Sequence, residues 1–199
     1  MSAVLGPIHQ WMFDKIRLQE QLTGEIANFA VENGWADKDS ALIKKCTKED
    51  TRTLEEAVDL SNIHGSLSGL IDAAEGDYGE LVTSLLSGHP ERWDEIEKLA
   101  YDFGTRHAAN DAADPTEVYR IFTGTLLSGM PCDRVEEITE QSADRFAWHV
   151  TEDLHAPYWE DPARYHELRK KVMEGMLQDT DYTLVSSSWD HYCIARKAS

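Results

Sequence analysis

Residues 145–151 read RFAWHVT, and this stretch decides the fold class. Phe146, Trp148 and Val150 alternate with Arg, Ala, His and Thr, which is the pattern of a half-buried β-strand. The preceding part of the chain has instead the three- and four-residue spacing of apolar residues that is typical of helices. The chain is therefore expected to change from helices to strands near residue 130.

Outward from this strand, residues 135–197 predict the order strand, strand, helix, strand, strand. A helix start is expected at Asp161-Pro162, because Asp is a favoured cap and proline is tolerated in the first turn, and this helix should end near Leu177. Polar residues at 142–144 can turn the chain. The four strands are expected over residues 135–141, 145–151, 182–185 and 192–195.

The first two-thirds of the chain predict amphipathic helices. Apolar residues recur at helical spacing over residues 7–33, 51–74, 78–86 and 91–109. The run Asp114-Pro115-Thr116-Glu117 marks a further helix start, with Asp as the cap, Pro at the first position and Glu at the third.

The expected architecture is an α+β protein with a mainly helical N-terminal two-thirds packed on a small antiparallel sheet in the C-terminal third. A small sheet needs helices to cover one face, so residues 1–199 are expected to form one domain. Its helical part would comprise residues 1–130 and its α+β part residues 131–199.

Gly65 and Gly69 lie four residues apart and therefore share one face of the second long helix. Each glycine costs a helix about 1 kcal/mol relative to alanine. Close approach of another backbone or of a ligand would compensate for this cost, and tight helix packing is the favoured explanation.

Composition restricts the partners. The 199 residues carry a formal net charge of −18, and a field of this sign repels nucleic acid and anionic membranes. An apolar content of 41% is sufficient for a core, so a folded protein is expected, with neither nucleic acid nor a membrane as its partner.

Cysteine usage and the N-terminus indicate the compartment. Cys46, Cys132 and Cys193 are far apart, and the odd number argues against a disulfide framework. The first residues lack the features of a signal peptide, and no apolar run reaches the roughly 18 residues of a membrane span. A cytoplasmic protein is expected.

Motifs for common cofactors are absent. The sequence contains no G-x-G-x-x-G, P-loop, H-E-x-x-H or G-x-S-x-G, which disfavours dinucleotide enzymes, NTPases, zincins and α/β-hydrolases. None of the eight histidines pairs with another at helical spacing, so no metal and no cofactor are predicted. As an alternative, His64 and His107 could meet in a helical bundle, although the expected Glu-x-x-His is missing.

The candidate catalytic residues lie in the last third. His155 follows a strand in a loop that also holds Asp153, and such a pair could act as a general base near neutral pH. Asp179 and Asp181 lie two apart in an extended segment, so their side chains should point the same way. They could bind a metal, share a proton or hold a substrate amine, or simply be solvated turn residues.

Three further residues are candidates for substrate binding. Arg164 and Arg196 belong to a late cluster of basic residues that could accept a carboxylate, although a solvated helix face is the common origin of such clusters. His64 could project into a pocket opened by the neighbouring glycines. Alternatively, His64 is hydrogen-bonded to a neighbouring helix at the edge of the core.

Residues 135–185 resemble the C-terminal part of the L-2-amino-thiazoline-4-carboxylic acid hydrolase family. The resemblance lies in the order of a Glu-Ile-Thr-Glu strand at 137–140, a turn at Asp144, a Phe/Trp strand ending in Val150-Thr151, a loop, a helix and Asp179-x-Asp181. It covers about a quarter of the chain. The relatives carry cysteines where this chain has Asp153 and Gln178.

This resemblance implies a small-molecule pocket and hydrolysis of a cyclic or C–N bonded, amino-acid-like substrate by an activated water. His155 with Asp153 would activate the water, Asp179 and Asp181 would hold the amino-imine, and Arg164 or Arg196 the carboxylate. The alternative is a non-catalytic small-molecule-binding or assembly protein that keeps the fold without the cysteines. In that case Trp11, Met12 and Phe13 could form a homodimer interface.

Overall fold

The computed structural model describes residues 5–197, and within them the expected α+β fold is confirmed. Helices precede the sheet, and one further helix separates its two hairpins, in the order that the sequence predicts. The elements are α1 (Pro7–Glu32), α2 (Ala41–Cys46), α3 (Leu54–Ala57), α4 (Ile63–Leu86), α5 (Trp93–Arg106), α6 (Pro115–Thr125), β1 (Glu136–Gln141), β2 (Arg145–Val150), α7 (Pro162–Met176), β3 (Tyr182–Ser188) and β4 (His191–Arg196), with 3₁₀ turns at Pro90–Arg92 and Ala156–Tyr158. None of the helices in this part of the chain combines the length and apolar character needed to cross a membrane.

The four strands form one antiparallel sheet in the order β1-β2-β4-β3. The two hairpins therefore meet through β2 and β4, where Phe146 lies opposite Ile194 and Trp148 opposite Tyr192. These four side chains are all buried, which confirms the half-buried strand expected from residues 145–151. The residue between the two pairs in β2 belongs to the other face of the sheet.

The chain divides into two compact units. The first contains the described residues up to Pro90 together with Tyr158–Glu160, and the second contains Glu91–Pro157 and the chain from Asp161 onward. The helices α5, α6 and α7 thus belong to the same unit as the sheet.

In the first unit, α1 packs against α4. Met12 and Phe13 are 1% and 4% exposed, respectively, because they belong to the buried stripe of α1 that forms this core. Their assignment to a dimer interface is therefore wrong: a side chain already buried within its own unit has no surface left for a partner. Trp11, the third residue of that assignment, is half-buried.

The single helix expected over residues 51–74 is wrong. The short helix α3 has a capping box, in which the backbone N–H of Thr53 donates to the Glu56 carboxylate at 2.8 Å, and it ends at Ala57. The chain is extended at Val58, and α4 then begins afresh after Asn62, whose side chain accepts from the backbone N–H of Gly65 at 3.2 Å. Capping side chains outweigh the apolar periodicity here, because they offer the backbone other hydrogen-bond partners than a continuous helix.

The close helix approach expected at Gly65 and Gly69 is also wrong. A Cβ atom added at Gly69 would meet no described atom within 4 Å, and the three atoms nearest to one at Gly65 all belong to the side chain of Asn62, three residues earlier in the same chain segment. In the first unit the close backbone approach on α4 is at Gly79, where a Cβ would overlap the carbonyl oxygen of Tyr158.

In the second unit backbones approach closely where α5 crosses α7. A Cβ at Gly104 would overlap the carbonyl oxygen of Val172, and one at Gly175 would overlap that of Tyr101.

The predicted helix starts in the second unit are confirmed. Asp114 accepts from the backbone N–H of Glu117 at 2.9 Å, and Asp161 accepts from that of Ala163 at 3.2 Å. Helix α6 contacts β2 and β4 and places Tyr119 on the sheet, with its ring stacked on Phe146 at 4.4 Å. The sheet is thereby covered on the face that carries its buried aromatic residues.

Candidate functional site

A narrow cleft lies in the second unit at one end of the sheet. Here β1 begins with Glu136, β2 ends with Val150 opposite it, and β4 begins just before Tyr192. The loop that follows β2 and the side of α7 complete the walls. The cavity volume is about 20 Å³, and a cavity needs about 10–15 Å³ to hold one water molecule.

A histidine–aspartate pair lies in the wall of this cleft. The Nε2 atom of His166, on α7, is 2.8 Å from Oδ2 of Asp153, and the two side chains are only 12% and 18% exposed. The other carboxylate oxygen, Oδ1, accepts from the backbone N–H groups of His155 and Ala156, both at 3.0 Å. The loop therefore fixes the carboxylate, and the carboxylate orients the imidazole.

Burial and hydrogen bonding set the protonation of this pair. Desolvation lowers the pKa of His166 below its usual value, although Asp153 opposes the effect. Burial alone would raise the pKa of Asp153, but the hydrogen bonds from His166 and from the backbone outweigh it and lower that pKa. At neutral pH the pair is thus a neutral imidazole beside an ionised carboxylate.

Arg169 lies one turn after His166 on α7 and also lines the cleft. Its guanidinium donates to the carbonyl oxygen of Leu127 and to Oγ of Ser128, both at 2.8 Å, and lies 3.7 Å from Glu136. Glu136 in turn accepts from the hydroxyl of Tyr119 at 2.7 Å. These contacts attach the segment before β1 to α7 and partly neutralise the only arginine among the cleft residues.

The remaining walls are acidic and aromatic. Glu152 joins Glu136 and Asp153, so three carboxylates face one guanidinium in the lining. Trp189, from the turn between β3 and β4, is 41% exposed, and its ring lies 4.8 Å from that of His166. The cleft therefore offers negative charge and a planar apolar surface to a small ligand.

His155 occupies a different place from the one expected for it. It lines the cleft, but its ring stacks on Tyr165 with a centroid distance of 3.8 Å, and the residue is 8% exposed. Asp153 receives the backbone N–H of His155, and it also holds the imidazole of His166, so His166 joins this group beside the predicted residue His155.

Asp179 and Asp181 are not brought to this cleft. They lie just before Tyr182, which pairs with Arg196 at the end of the sheet opposite Val150 and Tyr192. Both aspartates are exposed. Placing them in one site with Asp153 is therefore wrong, because the antiparallel register separates the two ends of the sheet.

The expected substrate-binding cations are engaged elsewhere. Arg196 lies 3.3 Å from Asp144 and 3.8 Å from Asp181. The guanidinium of Arg164 lies 4.1 Å above the ring of Trp93. Neither arginine is among the residues that line the cleft.

His64 belongs to the first unit and is exposed on α4. Its Nε2 atom lies 3.4 Å from Nε2 of His9 on α1, so its histidine neighbour is His9. His107, the other member of the alternative metal pair, caps α5 in the second unit. The Nδ1 atom of His9 accepts from the backbone N–H of Gly6 at 2.9 Å, which gives this histidine a capping role.

Two buried cysteines are poor nucleophile candidates. Burial raises the pKa of the Cys193 thiol, and it raises that of Cys46 to about 12. Because the thiolate is the reactive form, neither side chain is activated. Cys193 lies on β4 and does not line the cleft. It therefore does not replace the cysteines that the resembling family carries at the positions of Asp153 and Gln178.

A wider cavity of about 400 Å³ lies in the first unit between α1 and residues 46–51. Its lining is polar and charged, and it includes Arg17 and Asp50, which form an ion pair at 3.0 Å. Neither this cavity nor the cleft is the dry pocket of Trp and Leu between helices that a binder of apolar ligands would require.

A second group of polar side chains in the second unit consists of His149, Asp190 and His191. Hydrogen bonds, first from Ser188 and then from His191, lower the pKa of Asp190 to about 2. Among the described residues this is the group whose donor atoms are spaced to hold a metal ion.

Sequence reasoning missed His166 because it lies 13 residues after Asp153, on the far side of a helix start. One signal could have found it. The Asp161-Pro162 start places His166 in the second turn of α7, close to the N-terminal end of the helix that follows the Asp153 loop.

The search of protein families gives no matching model, and neither the curated proteins nor the solved structures contain a match to this chain.

Proposed function

We propose that this protein is a hydrolase that opens a cyclic or C–N bonded, amino-acid-like substrate with a water activated by His166. The single observation that supports this most directly is the 2.8 Å hydrogen bond between His166 and Asp153 in the wall of a cleft. A neutral histidine oriented by a carboxylate is an effective general base near neutral pH.

The proposed chemistry assigns one task to each atom of the pair. Asp153 accepts the proton on Nε2, so the lone pair of the neutral imidazole resides on Nδ1. Nδ1 takes a proton from a water molecule, and the resulting hydroxide adds to the electrophilic carbon of the substrate. The imidazolium then returns the proton to the departing nitrogen or sulfur, which leaves the enzyme unchanged.

The lining favours a substrate that carries a cationic amine or amidine. Glu136, Glu152 and Asp153 are opposed by Arg169 alone when His166 is neutral. The half-exposed ring of Trp189 provides a surface on which a small planar ring could stack. These cleft residues take over the amine-binding task first expected of Asp179 and Asp181.

The resemblance to the L-2-amino-thiazoline-4-carboxylic acid hydrolase family gives this proposal a first substrate to test. Where the relatives carry a cysteine, this chain has Asp153, so its route would use activated water in place of a thiol. The proposal thus keeps the class of substrate and changes the attacking group.

The test is an assay of the full chain on L-2-amino-thiazoline-4-carboxylate, small cyclic amidines and amino-acid amides, with products identified by mass spectrometry. His166→Gln and Asp153→Asn are expected to lower kcat by about 10²–10⁴-fold. His64→Gln, which changes an exposed histidine of the first unit, should retain wild-type turnover. Because the pKa of His166 is lowered, the activity should remain on its plateau at neutral pH and decline only on the acid side of 6.5.

Two results would contradict the proposal. Equal turnover by wild type and His166→Gln would remove the histidine from the mechanism. Saturable binding of these compounds without turnover by the wild type would favour the alternative, a non-catalytic binding protein.

A further inference from the structure

Three donor side chains converge at the junction of the two hairpins. Nε2 of His149 lies 3.4 Å from Oδ2 of Asp190, and Nδ1 of His191 lies 2.9 Å from Oδ1 of the same carboxylate. One donor atom from each residue lies within 4.8 Å of the other two. This group contains two imidazoles and one carboxylate.

The backbone holds these three residues in place. His149 on β2 and His191 on β4 are register partners at one end of the two inner strands, and their rings lie 4.4 Å apart. Asp190 is anchored from both sides: its carbonyl oxygen accepts from Val150 N–H at 2.7 Å, and its carboxylate accepts from Ser188 Oγ at 2.5 Å. Folding therefore already orders the three ligands, so metal binding loses little further conformational entropy.

The spacing agrees with the geometry of a first-row transition-metal site. With metal–ligand bonds of about 2.0–2.1 Å, neighbouring donor atoms are about 2.9 Å apart in octahedral and about 3.3 Å apart in tetrahedral coordination. The imidazole–carboxylate contacts, 3.4 Å to Oδ2 and 2.9 Å to Oδ1, are of this size, and one donor atom from each of the three residues lies within 4.8 Å of the others.

We propose that His149, Asp190 and His191 form a binding site for a divalent first-row transition metal such as Zn²⁺, Co²⁺ or Ni²⁺. Imidazole nitrogen with one carboxylate is a donor set that suits these ions. The three protein ligands leave at least one coordination position, and the side chains are 31%, 23% and 54% exposed, so this position opens to solvent. Ser188 acts as the residue that orients the carboxylate.

This site is distinct from the His166 cleft. Strand alternation places the side chain of His191 on the opposite face of the sheet from that of Tyr192. Of these two residues, Tyr192 lines the cleft and His191 does not. The metal proposal therefore stands or falls independently of the proposed hydrolysis.

The experiment is a titration of the full chain, free of any polyhistidine tag and treated with chelator, with Co²⁺ and then Zn²⁺. Visible absorption reports the cobalt coordination, and calorimetry gives stoichiometry and affinity. One equivalent is expected to bind. Removal of a ligand in Asp190→Asn or His191→Ala should weaken binding by more than about 100-fold, and Ser188→Ala should weaken it by about 10–100-fold.

Control variants separate this site from the other histidines. His64→Gln and His166→Gln should bind cobalt as the wild type does. Asp190 lies in the turn before β4, and His191 is the first residue of that strand. Circular dichroism of Asp190→Asn and His191→Ala is therefore expected to show unchanged folding. These two variants are preferred to a change at His149, which lies within the inner strand β2. The proposal is overturned if the wild type binds no stoichiometric metal, or if His191→Ala and Asp190→Asn retain its affinity.

Discussion

The two compact units bring their elements together in different ways. In the first, helix α4 touches the backbone of a connecting segment, since a Cβ atom at Gly79 would overlap the carbonyl oxygen of Tyr158, whereas Gly69 faces open space. In the second, α5 and α7 touch backbone to backbone at Gly104 and Gly175, whose Cα and would-be Cβ atoms lie 3.1 Å apart. Gly79, Gly104 and Gly175 therefore mark places where another backbone lies against a helix, and Gly69 does not.

The same contrast applies to the polar side chains. In the first unit, His9 and His64 meet on the exposed surface of two helices. In the second, the hydrogen bond between His166 and Asp153 is mostly shielded from water by the end of the sheet. Groups that are withdrawn from water interact more strongly, so the second unit is where chemistry is expected.

The largest expected effect comes from adding a methyl group at each kind of glycine. Gly104→Ala should lower the free energy of unfolding by about 3 kcal/mol, because its Cβ would overlap the Val172 carbonyl oxygen and the backbone must shift. Gly69→Ala should instead raise stability by up to about 1 kcal/mol, since the new methyl group meets nothing and alanine favours the helix. Urea unfolding of both variants measures the difference.

Equal effects of these two substitutions would break the comparison between a glycine packed against a backbone and one that faces open space. Gly175→Ala is the second test of the crossing, because its Cβ would overlap the Tyr101 carbonyl oxygen from the opposite helix. If Gly104→Ala and Gly175→Ala were both neutral, backbone contact would not hold α5 to α7.

Most of the fold could be predicted from local signals in the sequence. The alternation around Phe146 and Trp148 gave the strand, and the Asp114-Pro115 and Asp161-Pro162 pairs gave helix starts, because each signal acts within a few residues. The break before Ile63 was missed because apolar periodicity continues through it, while the cap at Asn62 carries no proline to mark it.

The site was predictable only in part. Asp153 and its loop were found because loops at strand ends collect functional groups. His166 was not, since its distance to Asp153 depends on how α7 returns to the sheet. His149 and His191 escaped a search for helical spacing because they are register partners on two strands 42 positions apart. Contacts of this kind are set by strand register, which the sequence specifies only through the whole sheet.

A smaller effect should distinguish the two histidines of the cleft. His155→Ala is expected to lower the free energy of unfolding by about 1–3 kcal/mol, because it removes a buried ring stacked on Tyr165. His64→Ala, at an exposed position of the first unit, should change stability by less than about 0.5 kcal/mol. If His155→Ala kept the wild-type melting temperature but lost turnover, His155 would have a catalytic role.

Helix caps offer a comparison in which the units should behave alike. Asp114→Ala in the second unit and Asn62→Ala in the first each remove an acceptor for a backbone N–H, at 2.9 and 3.2 Å respectively. Each substitution should cost about 1 kcal/mol in urea unfolding. A neutral Asn62→Ala would mean that α4 does not depend on its cap, and would point to the preceding apolar residues as the cause of the helix break.

The smallest expected effect is a pH dependence of stability that belongs to the second unit. The folded-state pKa of His166 lies below its ordinary value of 6.5 because of burial, so between these two values the unfolded chain binds more protons than the folded one. Stability should therefore fall as the pH decreases below 6.5. Asp153 contributes nothing to this slope at pH 5.5–7, since its own lowered pKa makes its stabilisation decline only below 3.8.

In urea unfolding at pH 7 and 5.5, His166→Gln should flatten the pH dependence of stability. Asp153→Asn should steepen it, because the carboxylate that raises the pKa of His166 is gone. If both variants kept the wild-type slope, the pair would not be coupled to folding, and the shielding from water that separates the second unit from the first would be too weak to matter.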